Sequence, residues 1–95
     1  MTKLLEVLDK LYSNPGNYEI DEWDKKKYFV DNELSKQAIF LCEELLITGN
    51  GGCNWDNIHE LRNSGYRVYP GERDSFGWLT GCVQKHGDER ILVYG

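Results

Sequence analysis

Three cysteines in a chain of 95 residues are too few, and odd in number, for a secreted disulfide framework. Cys42, Cys53 and Cys82 cannot all pair within one molecule. Long hydrophobic runs are missing as well. The longest mostly apolar stretch, Ala38 to Ile47, is interrupted by Glu43 and Glu44 and is too short to cross a bilayer. At the start of the chain, Glu6 follows Met1-Thr2-Lys3-Leu4-Leu5 before a signal-peptide core develops. Basic residues are outnumbered, eleven against sixteen acidic ones, which gives a net charge of −5. A sequence-independent DNA or RNA binder needs a basic face, because its affinity comes mainly from neutralised phosphates. Direct nucleic-acid binding is therefore not expected. No repeat, low-complexity tract or interdomain linker divides the chain. These absences point to one domain over residues 1–95, soluble and cytoplasmic, with no membrane partner.

What is present belongs to a folded protein. Hydrophobic residues at 40% and charged residues at 28% are globular values, not those of a disordered tail. Three tryptophans, six tyrosines and three phenylalanines supply bulk for a core. A domain of this size buries only about 60–65% of its unfolded surface, so its stability margin is narrow.

Hydrophobic spacing predicts a helix over 2–13, with Leu4, Leu5, Leu8, Leu11 and Tyr12 on one stripe and Val7 at its edge. Thr2 is the candidate cap, and Asn14-Pro15-Gly16-Asn17 ends the helix. A second helix is expected from about Glu33 to Ile47, capped by Asp31, Asn32 or Ser35. Its face holds Leu34, Ala38, Leu41, Cys42, Leu45 and Leu46, widened by Ile39 and Phe40. Gly49 suits a left-handed C-terminal cap. Asn54 opens a third, short helix with Trp55, Ile58, Leu61 and Arg62 on one face. Between the first two helices, Tyr18 to Asn32 is ambiguous: Ile20 and Trp23 have helical spacing, whereas Tyr28–Asp31 reads as strand or extended connection.

The last thirty residues change to a β pattern. Tyr66–Tyr69 is a short strand. From Trp78 to Lys85 the residues alternate, with Trp78, Thr80 and Cys82 on one face and Leu79, Gly81 and Val83 on the other. His86-Gly87-Asp88 turns the chain into Arg90–Tyr94, which completes an antiparallel hairpin. The expected fold is α+β, with N-terminal helices packed on a small C-terminal three-stranded antiparallel sheet.

Chemistry-bearing residues form no recognisable constellation. Cys53 and His59, and Cys82 and His86, lack the close cysteine pairs of a structural zinc site. The same residues supply Cys–His combinations for a thiol nucleophile, but without any local motif. Gly49-Asn50-Gly51-Gly52 precedes a helix as a phosphate loop does, yet no Lys-Ser/Thr follows and the preceding element is itself a helix. No metal, no cofactor and no catalytic residue is expected. Two segments stand out instead. Glu19, Asp21, Glu22 and Asp24 surround Trp23 and are followed at once by Lys25-Lys26-Lys27, a mixed-charge surface segment. Pro70 to Trp78 joins two strands and sets Glu72, Arg73 and Asp74 beside Phe76 and Trp78, which read best as plugs of the sheet.

The runs Asn54-Trp55-Asp56-Asn57-Ile58, Gly65-Tyr66-Arg67-Val68-Tyr69-Pro70-Gly71-Glu72 and Asp74-Ser75-Phe76-Gly77-Trp78-Leu79-Thr80-Gly81-Cys82-Val83, with the terminal Tyr94-Gly95, form a pattern. It resembles the C-terminal half of small phage and prophage accessory proteins. The resemblance covers residues 50–95 and carries over no residue-level activity. It implies a viral context, in which proteins of this size commonly bind a host protein, and inhibitors of bacterial immunity such as anti-CRISPR proteins are prominent among them.

The expected function is therefore a non-enzymatic phage-type protein that binds and inhibits a host defence or nucleic-acid enzyme. Its candidate contacts are Glu19, Asp21, Glu22, Trp23, Asp24, Glu72, Arg73 and Asp74, charged or aromatic residues in expected loops. The competing class is a structural or replication-accessory phage protein that self-associates as a homodimer, and a small Cys/His enzyme comes third.

Overall fold

The computed structural model describes residues 1–71 and 80–95. The elements follow in the order α1 (Thr2–Ser13), β1 (Tyr18–Ile20), β2 (Lys27–Phe29), α2 (Glu33–Leu46), α3 (Trp55–Asn63), β3 (Tyr66–Tyr69), β4 (Gly81–Lys85) and β5 (Arg90–Tyr94). The fold is α+β, but its sheet is larger than the sequence pattern indicated. Among the described residues it has five strands in the order β1-β2-β5-β4-β3. The three C-terminal strands pair antiparallel as expected, and the structure makes β4 the middle one, with Val68 opposite Val83 and Val83 opposite Leu92. The correction comes from the ambiguous segment. Residues 18–29 form an antiparallel hairpin, and β2 joins β5 in parallel, with Lys27 beside Arg90 and Tyr28 beside Ile91. The sheet is therefore mixed, and strands lie between α1 and α2 instead of following all the helices.

Helix α1 forms because Leu4, Val7, Leu8, Leu11 and Tyr12 recur at helical spacing, and all five are buried. Val7 is central to this stripe, whereas Leu5 is only half-buried. Thr2 is not the cap; the helix starts from Met1 without a side-chain hydrogen bond. Its C-terminal carbonyls are satisfied from far along the chain. The Arg90 guanidinium, 7% exposed, donates to the carbonyls of Tyr12 (2.9 Å), Asn14 and Gly16 (3.0 Å). It also makes two bonds to the Asp88 carboxylate, at 3.0 and 2.7 Å. One side chain thus ties the end of α1 to the start of β5, where a cation complements the helix dipole. The Tyr12 hydroxyl reaches the same strands, 3.0 Å from the Val83 carbonyl and 3.1 Å from that of Arg90.

Asn32 is the cap of α2: its side chain accepts from Ser35 N, and Ser35 Oγ accepts from Asn32 N, a reciprocal box that closes the first turn. Ala38, Cys42 and Leu46 are buried, while Phe40 is 57% exposed, so the apolar face is narrower than its composition implied. The helix ends in extended conformation at Ile47, and Gly51, not Gly49, holds a positive φ of 80°. Residues 48–52 close on themselves: Thr48 N donates to the Gly52 carbonyl and Gly52 N to Thr48 Oγ1. Helix α3 begins at Asn54, whose side chain accepts from Asn57 N.

The three helices cover one face of the sheet. Tyr66, Val68, Val83, Leu92 and Tyr94 project into that core. Strand β4 approaches so closely there that only glycine fits at position 81. A Cβ on Gly81 would lie 2.6 Å from the Tyr94 ring and 2.9 Å from the Tyr69 carbonyl oxygen. By register, the opposite face carries Tyr28, Tyr69, Cys82, Ile91 and Val93. Tyr69 and Val93 remain about half exposed, at 52% and 49%.

Candidate recognition site

The β1–β2 hairpin is built to fix a turn. Asp21 Oδ1 accepts from the backbone N–H of Trp23 at 2.8 Å and of Asp24 at 3.1 Å. Lys25 N donates to the Asp21 carbonyl, and Asp21 N to the Lys26 carbonyl, closing the loop at its base. Such Asx turns let a short side chain substitute for a backbone partner. Lys25 adopts φ 61°, a left-handed conformation that a lysine takes only when its surroundings hold it there. Asp24 fastens the other side: one oxygen accepts from Lys26 N at 2.8 Å and the other from the Tyr28 hydroxyl at 2.6 Å. That hydroxyl holds the Asp24 carboxyl below its ordinary range, and the carboxylate in turn pushes Tyr28 up to about 12.

This frame sorts the residues that the sequence singled out. Asp21, through Oδ1, and Asp24, through both oxygens, hold the turn. Glu19 and Glu22 are exposed. Trp23 is 94% exposed at the tip, and Ile20 beside it is 57% exposed. Together they make an acidic, aromatic prominence on a constrained backbone. Glu72, Arg73 and Asp74, and the expected plugs Phe76 and Trp78, lie outside the described residues.

Residues that sequence reasoning passed over lie next to this tip. A concavity of about 640 Å³ crosses the open sheet face, with Tyr69, Cys82 and Ile91 on its floor and Lys25 and Lys26 at its rim. Lys27, also at the rim, is paired with Glu89 at 2.8 Å. Burial pushes the Cys82 thiol up, opposed by the nearby Lys26 charge. Desolvation raises Cys42 to about 12. Both shifts run against the thiolate form that a nucleophile or metal ligand requires. Among the described residues no three His, Cys, Asp or Glu side chains are grouped to hold a metal ion. The His59 ring lies tilted against Trp55, 5.9 Å between centroids, and His86 Nδ1 accepts from Arg67 Nε at 3.4 Å. No helix among the described residues is long and apolar enough to cross a membrane. Comparison with protein-family models, curated proteins and solved structures finds no match.

Proposed function

We propose that this protein is a non-enzymatic, phage-type inhibitor that binds a host defence or nucleic-acid-processing enzyme through its β1–β2 hairpin. The observation that carries the reading is Trp23. A tryptophan left 94% exposed at the tip of a hydrogen-bonded turn contributes nothing to the core and suits a binding anchor. The turn reduces the ordering cost of association, because Asp21 and Asp24 already fix the backbone in one conformation. A net charge of −5 favours encounter with a basic groove such as nucleic-acid enzymes present. Burial raises the Cys42 and Cys82 thiols, which suits a structural role for those two cysteines better than a nucleophilic one.

The test is expression in bacteria that carry an active nuclease-based defence, with the plating of a targeted phage as readout. Wild-type protein should restore plating, and a folded Trp23→Ala variant should not. Capture from host lysate at physiological salt should show a protein retained by the wild type and lost with the variant. No restored plating against any defence system, together with no retained protein, would overturn the reading.

A further inference from the structure

The hairpin carries two chemistries that fit each other. Its tip is aromatic and acidic, with Trp23 and Glu22 exposed. Its flank is the rim of a concavity floored by Tyr69, Cys82 and Ile91 and edged by Lys25, Lys26, Gln84 and the Lys27–Glu89 pair, so two of its lysines are not offset by that glutamate. Among the described residues, the side chains of Glu22, Lys25 and Lys26 make no hydrogen bond or ion pair, and all three residues are exposed. One molecule cannot join them, because a loop of residues 21–26 closed at its base cannot fold its own tip into the hollow beside it. A second copy can. We infer that two copies of this chain associate about a two-fold axis at the hairpin, each placing Trp23 in the other's concavity, with Glu22 facing the partner's Lys25 and Lys26.

The arrangement is self-complementary, as a two-fold interface requires: tip meets hollow, and hollow meets tip. Tyr69, Cys82 and Ile91 supply an apolar floor for the indole, and a volume of about 640 Å³ accommodates it. Size limits the strength. Two buried indoles and their rims fall at the low end of specific interfaces, below about 1,200 Å² in total. Each copy also carries −5, so the pair repels overall. The association is therefore weak, on the order of micromolar. It occupies the same tip that a host partner would use, yet it does not depend on that partner's existence.

Sedimentation velocity on the full chain tests the inference. Wild-type protein should show a reversible monomer–dimer equilibrium, and Trp23→Ala should be monomeric. Glu22→Lys and Lys26→Glu should each weaken association about tenfold or more. The double variant Glu22→Lys/Lys26→Glu should regain most of the lost affinity, because the swapped charges face each other again. Circular dichroism melts identify which variants fold, and Lys25→Glu substitutes where Lys26→Glu does not. A wild type that stays monomeric to about 1 mM, a Trp23→Ala variant that dimerises as the wild type does, or a charge swap no better than its single variants would each overturn the dimer. Failure here leaves phage plating unaffected. Loss of plating activity by Trp23→Ala with Lys26→Glu still active identifies the tip as a partner anchor in its own right.

Discussion

Replacing Arg90 with Met removes the guanidinium and keeps most of the packing stem. Arg90 is 7% exposed and sits against the rings of Tyr12 and Phe29, 5.5 and 5.1 Å from their centroids. Methionine can fill that space. What it cannot replace is the set of donors. The carbonyls of Tyr12, Asn14 and Gly16 lose the guanidinium together, and the Asp88 carboxylate keeps only the Arg90 backbone N–H, at 2.9 Å. Breaking one side of a buried, hydrogen-bonded charge pair costs about 3–5 kcal/mol. A domain of this length has about 5–14 kcal/mol in total. The variant should lose between about a fifth and nearly all of that margin. Each kcal/mol lowers the midpoint of a domain this small by about 4–8 °C, so a fall of at least about 12 °C is expected. Thermal and urea unfolding followed by circular dichroism measure it. Arg90→Lys should fall between, since an ammonium cannot bridge three carbonyls and a carboxylate in the same fork. A methionine variant within about 1 kcal/mol of wild type would refute the reasoning and show that water satisfies the end of α1 equally well.

The Arg90 pair also predicts a pH dependence: Arg90 holds the Asp88 carboxyl below its ordinary value of 3.8, so its contribution is present above that pH and lost as pH falls through the depressed value. Urea midpoints at pH 6 and below about pH 3 should therefore diverge less in Arg90→Met than in wild type, and equal divergence would count against the pairing. Tyr94→Phe should leave stability unchanged or raise it by up to about 1 kcal/mol, because the buried Tyr94 hydroxyl has no partner among the described residues; a loss in the melting curve would reveal one. Gly81→Ala should destabilise by about 1–3 kcal/mol, since its Cβ meets the Tyr94 ring and the Tyr69 carbonyl, which cannot both yield. Urea unfolding checks it, and an unchanged midpoint would mean that β4 shifts freely.

The helices were legible because their signals are local. Leu4, Leu8 and Leu11 repeat within α1, and Asn54 sits immediately before the first turn of α3. The C-terminal strands β3 to β5 were legible for the same reason: Tyr66 and Val68 alternate with exposed residues in β3, and a short turn separates the compact apolar runs in β4 and β5. Strands β1 and β2 have three residues each, too short for a period of two to register. Their place in the sheet comes from β2 meeting β5 more than sixty residues away, at Lys27 beside Arg90. The helix that Ile20 and Trp23 offered gives way to that hairpin. Gly49 misled because Thr48 closes the loop beyond α2, which moves the left-handed turn to Gly51. The lysine-rimmed concavity needed the same long-range register before Lys26 and Cys82 could come near each other. One clue lay in β5: Ile91, Leu92 and Val93 are apolar without interruption, which marks a strand with apolar surface on both faces.

The acidic residues around Trp23 show why charge alone is a poor guide to a contact surface. By composition Glu19, Asp21, Glu22 and Asp24 are equivalent, each adding a negative charge to an exposed segment. Geometry divides them by side-chain length. An aspartate oxygen reaches the N–H groups two and three residues ahead, as Asp21 does at Trp23 and Asp24, whereas glutamate's extra methylene carries its carboxylate past them. The two aspartates therefore shape the loop, and the two glutamates remain on its surface. In the binding we propose, the two aspartates contribute by the turn that positions Trp23, and Glu22 contributes its charge.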